Sequence, residues 1–413
     1  MTASILPLPE EYWTDRGPFL AKLHADYGPV VQARLGQAAV VFMLGPEANR
    51  CILQTDRQAF SHRLGWGWAF GRTSSPRNLL TMDGEEHRRN REILHPAFAV
   101  RHVESYVPLM IRVIDRRLAT WVARSIIDVY EETRVIALDV VAETLLGLRP
   151  GPELSLCRAV YLHGAHRRMD DFAVLLRDKA AERRTLPTGD ALCLLARARD
   201  EWGSPLSNEQ ILAHADTLLV AGHETTASLA AWALYVLAMH PDQARRVLEE
   251  SLDPRQGGYL TAALNHGSAL ARVLSEAERL YPPVPTAPRG LLQDVTFQGH
   301  RLPMGTMAVY SAAATHLLPG VWSAPHVFDP DRFASPRDEH KRVPYALVGF
   351  GGGARTCIGR AMARVELALL LTRMLQRFRL EVLLGQRIVQ RYGVTSRPRH
   401  GIRMRVQARE RRK

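Results

Sequence analysis

The sequence has few cysteines, and their spacing excludes two common kinds of site. Its four cysteines, Cys51, Cys157, Cys193 and Cys357, lie far apart among 413 residues, and no two form a C-x-x-C pair. Disulfide frameworks are typical of small, cysteine-dense secreted domains, and zinc sites commonly contain C-x-x-C pairs. We therefore expect neither, and a cysteine with a chemical role must act alone.

Long hydrophobic runs and repeats are also absent. No stretch reaches the roughly 18 apolar residues that a membrane span needs, and residues 1–9 lack the basic start and apolar segment of a signal peptide. The composition, 46% hydrophobic and 23% charged, excludes wholesale disorder. We expect a cytoplasmic protein without a membrane span, forming one domain over residues 1–413 that is large enough to enclose an apolar cavity.

Acidic residues are fewer than basic residues, and part of this difference lies in one segment of the chain. Lys and Arg number 54 against 42 Asp and Glu, and residues 397–413 alone hold eight Lys or Arg and one Glu. Nucleic-acid binding needs a basic helix with interleaved aromatic residues, which the sequence does not contain. We therefore expect a solvated basic tail over about 397–413 and no nucleic-acid partner.

Helical patterns dominate the chain from Gly84 onward. Ser207 and Gln210 form a capping box, which predicts a helix ending near Met239, before His240 and Pro241. This helix would be about 32 residues, or ~48 Å, long. It is mostly apolar all round, which is typical of a helix that crosses the centre of a domain. The fold class is therefore mainly α with a minor β part. Other expected elements are a hairpin of Val30–Leu35 and Ala38–Leu44, a helix over Pro46–Gln54, an irregular loop over Ser61–Pro76, a helix over Leu264–Leu280, strands over Val295–Leu302 and Met307–Ser311, irregular chain over Ala312–Phe350 and a helix over Arg360–Phe378.

Cys357 follows a glycine-rich turn and precedes a helix. Free N–H groups and the positive end of a helix stabilise a thiolate there, and Arg355 adds positive charge. A buried structural cysteine and a phosphate-binding turn are the alternatives, but the Lys-Ser/Thr pair of a Walker loop is absent. A thiolate that binds a metal accounts best for these residues.

Small and polar residues interrupt the long apolar helix halfway along. Ala221 and Gly222 leave room for a flat molecule, and Glu224 and Thr225 follow them. A Thr hydroxyl that bonds to the carbonyl one turn earlier opens a helix locally. A plain helix–helix contact with a solvated Glu is an equally good interpretation of this segment.

Five motifs, in the same order along the chain, resemble those of the cytochrome P-450 family of soluble bacterial type. The cysteine loop matches the haem-ligand signature, the long helix matches the oxygen-activation motif, and the others resemble the propionate-binding helix, the Glu-x-x-Arg helix and a later arginine motif. In this sequence they are His87-x-x-x-Arg91, Ala221-Gly222-x-Glu224-Thr225-Thr226, Glu276-x-x-Arg279, Pro330-Asp331-Arg332-Phe333 and Phe350-x-x-Gly353-x-Arg355-x-Cys357-x-Gly359.

The resemblance implies a haem b between the long helix and the helix after the cysteine loop. Cys357 would be the thiolate ligand, which pushes electron density onto iron and favours O–O cleavage. Phe350 and Gly351 would shape the loop, and the N–H groups of Ile358 and Gly359 would tune the sulfur. Ala221 and Gly222 would lie against the ring. His87, Arg91, Arg289 and Arg355 would bind the propionates, although His87 could also be a surface residue.

The same resemblance implies a buried network and an activity. Glu276, Arg279 and Arg332 would form a scaffold for the cysteine loop, with Glu278 at the helix surface. The reaction would insert one atom of O₂ into a hydrophobic terpenoid, fatty acid or similar molecule. Thr225 would hydrogen-bond to oxygen or water, and Glu224 would relay protons.

Electrons would come from separate proteins, because no reductase domain follows the cysteine helix. We expect a ferredoxin or flavodoxin with an NAD(P)H-dependent reductase, docked by the basic surface near Arg360 and Arg364. A peroxide-using peroxygenase or isomerase, or a non-catalytic haem protein, is the alternative. The expected substrate pocket consists of Trp66, Trp68, Phe70, Leu218, His223, Val284 to Ala287, and Val394 with Thr395.

Overall fold

Helices form most of the protein, as the sequence predicts. The computed structural model describes residues 6–36, 38–70, 78–200, 202–252 and 267–409, without the side chains of residues 6, 7, 68–70 and 252. In chain order its helices are α1 (Glu11–Thr14), α2 (Arg16–Tyr27), α3 (Pro46–Arg50), α4 (His62–Phe70), α5 (Gly84–Phe98), α6 (Val100–Ala119), α7 (Val129–Leu145), α8 (Pro152–Tyr161), α9 (Met169–Thr185), α10 (Ala191–Arg197), α11 (Asn208–Met239), α12 (Pro241–Leu252), α13 (Ala269–Leu280), α14 (Ala312–Thr315), α15 (Glu339–Arg342) and α16 (Arg360–Arg377).

The strands form a minor β part beside these helices. A six-stranded sheet has the order β1-β2-β3-β9-β6-β4, a three-stranded sheet has the order β10-β13-β5, and two hairpins pair β7 with β8 and β11 with β12. The expected first hairpin is present, with Val31 opposite Phe42. The strands are β1 (Leu6–Pro7), β2 (Val30–Leu35), β3 (Ala38–Met43), β4 (Phe60–Ser61), β5 (Ile126–Asp128), β6 (Thr286–Leu291), β7 (Val295–Phe297), β8 (His300–Leu302), β9 (Met307–Ser311), β10 (Phe378–Val382), β11 (Gln390–Tyr392), β12 (Ser396–Pro398) and β13 (Arg403–Ala408).

The 32-residue helix α11 crosses the centre of the helical part. Its capping box is formed: the Gln210 N–H donates to the Ser207 hydroxyl at 3.2 Å, and the Ser207 N–H donates to the Gln210 side chain at 2.8 Å. The helix packs along α7 and also contacts α13 and α16. Because it is buried on most sides, its apolar residues contribute to the largest core cluster.

The early glycine-rich segment is helical where it is described, so the expected irregular loop over Ser61–Pro76 is wrong for His62–Phe70. Glycine serves close packing here. A Cβ on Gly65 would lie 2.3 Å from the Pro288 carbonyl oxygen, and one on Gly290 would lie 2.3 Å from the Leu64 Cβ. The two glycines therefore let α4 lie directly on β6.

The basic C-terminal segment is also more ordered than a solvated tail. Strand β13 is the middle strand of its sheet, with Val406 opposite Leu380 and Met404 opposite Ile127. Arg403 and Arg405 are exposed on the outer face of this strand, while Met404 and Val406 are buried. The expected tail thus contributes a buried face to the fold up to Ala408.

No helix within the described ranges is both long and apolar enough to cross a membrane. The irregular segment after β9 contains the short helices α14 and α15 and a 3₁₀ turn at Pro330–Phe333. It leads to the cysteine loop, which directly precedes α16 in sequence and lies beside α13 in the fold.

Candidate active site

A cavity of about 470 Å³ lies between α11 and the cysteine loop, next to α5 and β6. It brings together residues that are distant in sequence. The predicted site residues that line it are Trp66, His87, Arg91, Leu218, Ala221, Gly222, Glu224, Thr225, Val284, Ala287, Arg289, Phe350, Gly351, Arg355, Cys357, Ile358, Gly359, Val394 and Thr395. The side chains of Trp68 and Phe70 lie outside the described part of the chain.

The cysteine loop depends on glycine at two positions. Gly351 has a φ of +71° and Gly353 has a φ of +58°, which are strained for other residues. A Cβ on Gly353 would also lie 2.2 Å from the Leu53 carbonyl oxygen. The loop is closed by the Cys357 N–H, which donates to the Phe350 carbonyl at 2.9 Å. The backbone thus fixes where Cys357 stands at the entrance of α16.

Cys357 is accessible from the cavity, while protein surrounds it on its other sides. Burial and, to a smaller extent, the Glu278 carboxylate raise the pKa of its thiol, and the Gly359 N–H together with the Arg91 and Arg360 guanidinium groups opposes that rise. These donors and charges favour an anionic sulfur. The side chain is therefore placed and surrounded as a thiolate ligand would be.

Helix α11 presents its interrupted segment to the same cavity. The Thr225 hydroxyl donates to the Ala221 carbonyl at 2.7 Å, which is the predicted bond to the preceding turn. Gly222 also borders the cavity, but a Cβ there would lie 2.8 Å from Val141 of α7. Its small size therefore serves the close approach of the two helices, which was the alternative interpretation of this glycine.

Glu224 is tied into a polar cluster between α11 and α7. Its carboxylate accepts hydrogen bonds from the Tyr130 hydroxyl at 2.8 Å and the Arg134 guanidinium at 3.0 Å, and the His223 imidazole lies 3.3 Å away. Burial alone would raise its pKa, but His223, Arg134 and Tyr130 lower it to about 2. Glu224 is thus ionised at neutral pH. His223, expected in the pocket, instead packs beside Tyr161.

Cationic side chains converge at one rim of the cavity. Arg91 donates to the Thr356 carbonyl at 2.7 Å, and Arg355 donates to the Met82 carbonyl at 2.7 Å and pairs with Asp83 at 3.1 Å. Arg289 is buried, and no carboxylate of the described residues lies within ion-pair distance of it. Burial, together with the Arg355 and Arg91 guanidinium groups, lowers the pKa of His87 to about 4. The rim is therefore prepared for an anionic group.

Two cavity residues that carry a buried polar atom without a hydrogen-bond partner among the described residues were not predicted from the sequence. Nε2 of His62 is buried without a hydrogen-bond partner among the described residues, next to Arg289, Arg355 and His87. The same holds for Oε1 of Glu366, a carboxyl group inside α16 whose pKa burial raises well above 4.5. An acid inside the apolar run of that helix was the available signal for Glu366. No sequence pattern indicated His62, because only the fold brings α4 to the rim of the cavity.

The cavity fits a haem. One wall offers a cysteine and the other a flat segment of α11. The rim has the guanidinium groups of Arg91, Arg289 and Arg355 and the buried Nε2 atom of His62, which has no hydrogen-bond partner among the described residues, and two propionates would lie there. Cys357 would hold the iron, and Arg91, Arg289, Arg355, His87 and His62 would hold the carboxylates.

The buried network predicted around Glu276 is present beside the cysteine loop. Arg279 pairs with Glu276 at 2.7 Å, and Arg332 pairs with Glu276 at 3.1 Å. Arg332 also pairs with Glu339 at 2.9 Å, a partner that was not predicted. His316 was missed as well: its Nε2 accepts the Val348 N–H at 3.0 Å, so the ring links the network to the start of the loop.

Two expectations about charged residues are wrong. Glu278 is not at the helix surface. It is buried, and its carboxylate pairs with Arg364 at 3.1 Å. Arg364 is buried by the same pair and cannot contact a docked protein. Arg360, at the start of α16, is exposed as expected.

Comparison with known proteins identifies relatives over nearly the whole chain. The family model described as Cytochrome P450 matches residues 6–155 and 165–400. The chain is 32% identical over 410 residues to cytochrome P450 120 of Synechocystis sp., covering 94% of this chain and 92% of that protein. It is 30% identical over 394 residues to pentalenene oxygenase of Streptomyces avermitilis, covering 88% and 86%.

A solved structure shares the whole fold. The cyanobacterial CYP120A1 with retinoic acid bound superposes with a TM-score of 0.85 at 29% sequence identity, covering 99% of this chain and 100% of that chain. The likeness extends over both the helical part and the sheets.

Proposed function

The chain belongs to the cytochrome P450 family, and from this premise we propose that it inserts one atom of O₂ into a terpenoid, a fatty acid or a similar hydrophobic molecule. Members of the family are haem proteins with a cysteine thiolate ligand, and they act as monooxygenases with O₂ and redox partners. Bound haem supplies the activation of O₂. The chain's own residues supply binding, orientation and protons.

The observation that carries the proposal is the cavity itself. Cys357 and Thr225 lie on its walls together with apolar side chains such as Trp66, Leu218 and Val284. The accessible surface of the cavity is mainly apolar, although charged residues line its rim. Such a surface favours a hydrophobic ligand, because burying an unpaired polar group costs free energy. Substrate would be held there by burial of apolar surface, with water largely displaced.

The names of the similar proteins support the same substrate class. One relative is named pentalenene oxygenase, and the similar solved structure holds retinoic acid. Both names point to hydrocarbon-rich molecules. We therefore place terpenoids first among the candidate substrates of this chain.

Protons would reach the site through Glu224. Its carboxylate is ionised, and Arg134 links it to Glu131, whose side chain is 60% exposed. The Glu224 side chain also borders the cavity one residue before Thr225. Glu224 would accept protons from the solvent side and pass them inward, and the Thr225 hydroxyl would hydrogen-bond to oxygen or water at the site.

Electrons would come from a separate ferredoxin or flavodoxin fed by an NAD(P)H-dependent reductase. The exposed guanidinium of Arg360 lies at the start of α16, next to the cysteine loop. The chain's net charge of +12 favours an acidic partner. Turnover with such a partner should slow as salt rises, and a rate that is independent of salt would contradict docking by charge.

The test is coupled turnover with the substitution Thr225→Ala. A lipophilic library is first screened for compounds that shift the haem Soret band. With such a compound, the parent should consume NAD(P)H and O₂ and form an oxygenated product. Thr225→Ala should keep the spectral shift but divert electrons to peroxide, whereas Thr225→Ser, which keeps the hydroxyl, should stay coupled. Product formation from peroxide alone, with none from O₂ and an electron donor, would contradict the monooxygenase.

A further inference from the structure

We propose that Glu278 and Arg364 form a positioning pair that sets the reduction potential of the thiolate-ligated haem. The pair lies behind the cysteine loop, joins α13 to α16 and is almost fully buried, with each side chain 4% exposed. The inference concerns the haem site alone and does not depend on which substrate the enzyme takes.

Glu278 is connected to Cys357 through the loop backbone. Its carboxylate accepts a hydrogen bond from the Gly349 N–H. A Cβ on Gly349 would lie 2.5 Å from Oε1 of Glu278, so only glycine permits this approach. The next residue, Phe350, provides the carbonyl that accepts the Cys357 N–H at 2.9 Å. A displacement of the Glu278 carboxylate therefore moves the backbone that holds the sulfur.

Arg364 holds the other side of the same loop. Its guanidinium donates to Glu278 at 3.1 Å and to the Ser275 hydroxyl at 3.4 Å. The guanidinium carbon also lies 5.7 Å from the centre of the Phe350 ring. A cation at this distance from an aromatic face attracts the ring. Glu278 thus fixes Arg364, and Arg364 fixes the Phe350 side chain beside the cysteine.

The two charges act on the iron site in opposite directions. Reduction of haem adds an electron, so a nearby positive charge favours the reduced state and a negative charge opposes it. In a buried site these effects are screened far less than at the surface. With both partners present, each charge partly offsets the other, and the Glu278 carboxylate acts on Cys357 against the Arg91 and Arg360 guanidinium groups. Loss of Glu278 alone leaves an unpaired cation next to the loop.

The experiment compares midpoint potentials of purified, haem-loaded variants by spectroelectrochemistry. The variants are Glu278→Gln, Arg364→Gln and the double substitution. Asp115→Asn serves as the matched control, because Asp115 pairs with Arg373 near the other end of α16. The carbon monoxide complex of each reduced protein is recorded to verify thiolate ligation.

The expected result is a higher potential for Glu278→Gln and an unchanged or lower potential for Arg364→Gln, with Asp115→Asn equal to the parent. If the pair served folding alone, the midpoint potentials of both single variants would shift in the same direction or stay unchanged, and either outcome overturns the proposal. If Glu278→Gln does not retain haem, the double variant is compared with Arg364→Gln. A higher potential in the double variant supports the proposal, and equal potentials overturn it.

Discussion

The hydroxyl group of Tyr130 donates a hydrogen bond of 2.8 Å to Oε2 of Glu224 and so joins α7 to the centre of α11. Arg134, one turn further along α7, donates to the other carboxylate oxygen. The acid of the oxygen-activation motif is thereby fixed from a neighbouring helix. This arrangement keeps Glu224 ionised and connected to the protein surface through Glu131.

Glu224→Gln should slow product formation by about 10²-fold, because a positioned acid–base group contributes roughly that much or more to proton transfer. The amide keeps the size of the side chain but cannot carry a proton. The measurement is steady-state turnover at saturating substrate, with the haem content of each preparation determined. Glu381→Gln, which changes an exposed carboxylate on β10 outside this cluster, is the control and should leave the rate unchanged. Equal rates for parent and Glu224→Gln would contradict a relay through this carboxylate.

Arg289→Gln should weaken haem binding, since a buried guanidinium would lose a charge-assisted hydrogen bond to a propionate. Such bonds contribute about 1.5–3 kcal/mol, which corresponds to roughly a 10- to 100-fold faster loss of haem. The measurement is transfer of haem to an acceptor protein. Arg301→Gln removes an exposed cation that pairs with Asp294 and should leave the rate unchanged.

His62→Phe tests the residue that sequence reasoning missed at the same rim. Its buried Nε2 should hydrogen-bond to a propionate, so the substitution should speed haem loss in the same transfer assay by a smaller factor than Arg289→Gln. An unchanged rate would show that the orphaned nitrogen has no part in binding the group.

Glu276→Gln should lower the free energy of unfolding by about 3–5 kcal/mol, because it leaves the buried guanidinium of Arg279 without a charged partner and leaves Arg332 paired with Glu339 alone. Chemical denaturation of the haem-loaded protein measures the change. Glu381→Gln is the control: its pair with Arg405 is exposed and should contribute less than about 1 kcal/mol. Similar losses in both variants would contradict the scaffold role.

Glu366→Gln should make stability less dependent on pH. The folded protein holds the Glu366 proton well above pH 4.5, whereas the unfolded chain releases it near 4.5. The parent therefore loses stability as pH rises from 4.5 toward the pKa of the folded state, by up to about 1.4 kcal/mol per pH unit. The variant, which does not titrate there, should gain relative stability over that range in thermal unfolding. A difference that does not change with pH would show that Glu366 is charged in the fold.

Local sequence patterns predicted the main elements because their signals are short-range. The capping box at Ser207 and the His240-Pro241 stop gave the bounds of α11 within a residue. The hairpin of β2 and β3 followed from two short apolar runs around a turn. The cysteine loop and its helix followed from glycine spacing, and the haem followed from the resemblance of five motifs to the cytochrome P-450 family.

The errors concern residues whose surroundings come from distant segments. The glycines near residue 65 indicate a loop by composition, yet they serve close contact with β6. Glu278 has the spacing of a surface residue on α13, but the cysteine loop and α16 cover it. Neither partner lies close enough in sequence to reveal the contact.

The amino-acid order by itself determined that this chain is mainly helical with a metal-binding thiolate loop, because a glycine-rich cysteine turn and a capped apolar helix are local features, and the motifs that resemble the cytochrome P-450 family identified the haem. Only the tertiary structure decided which charges are paired, which are left unpaired at the haem rim, and which acids are buried. Those properties depend on burial and on contacts between segments hundreds of residues apart, and the free energy of a buried charge is set by its neighbours in space.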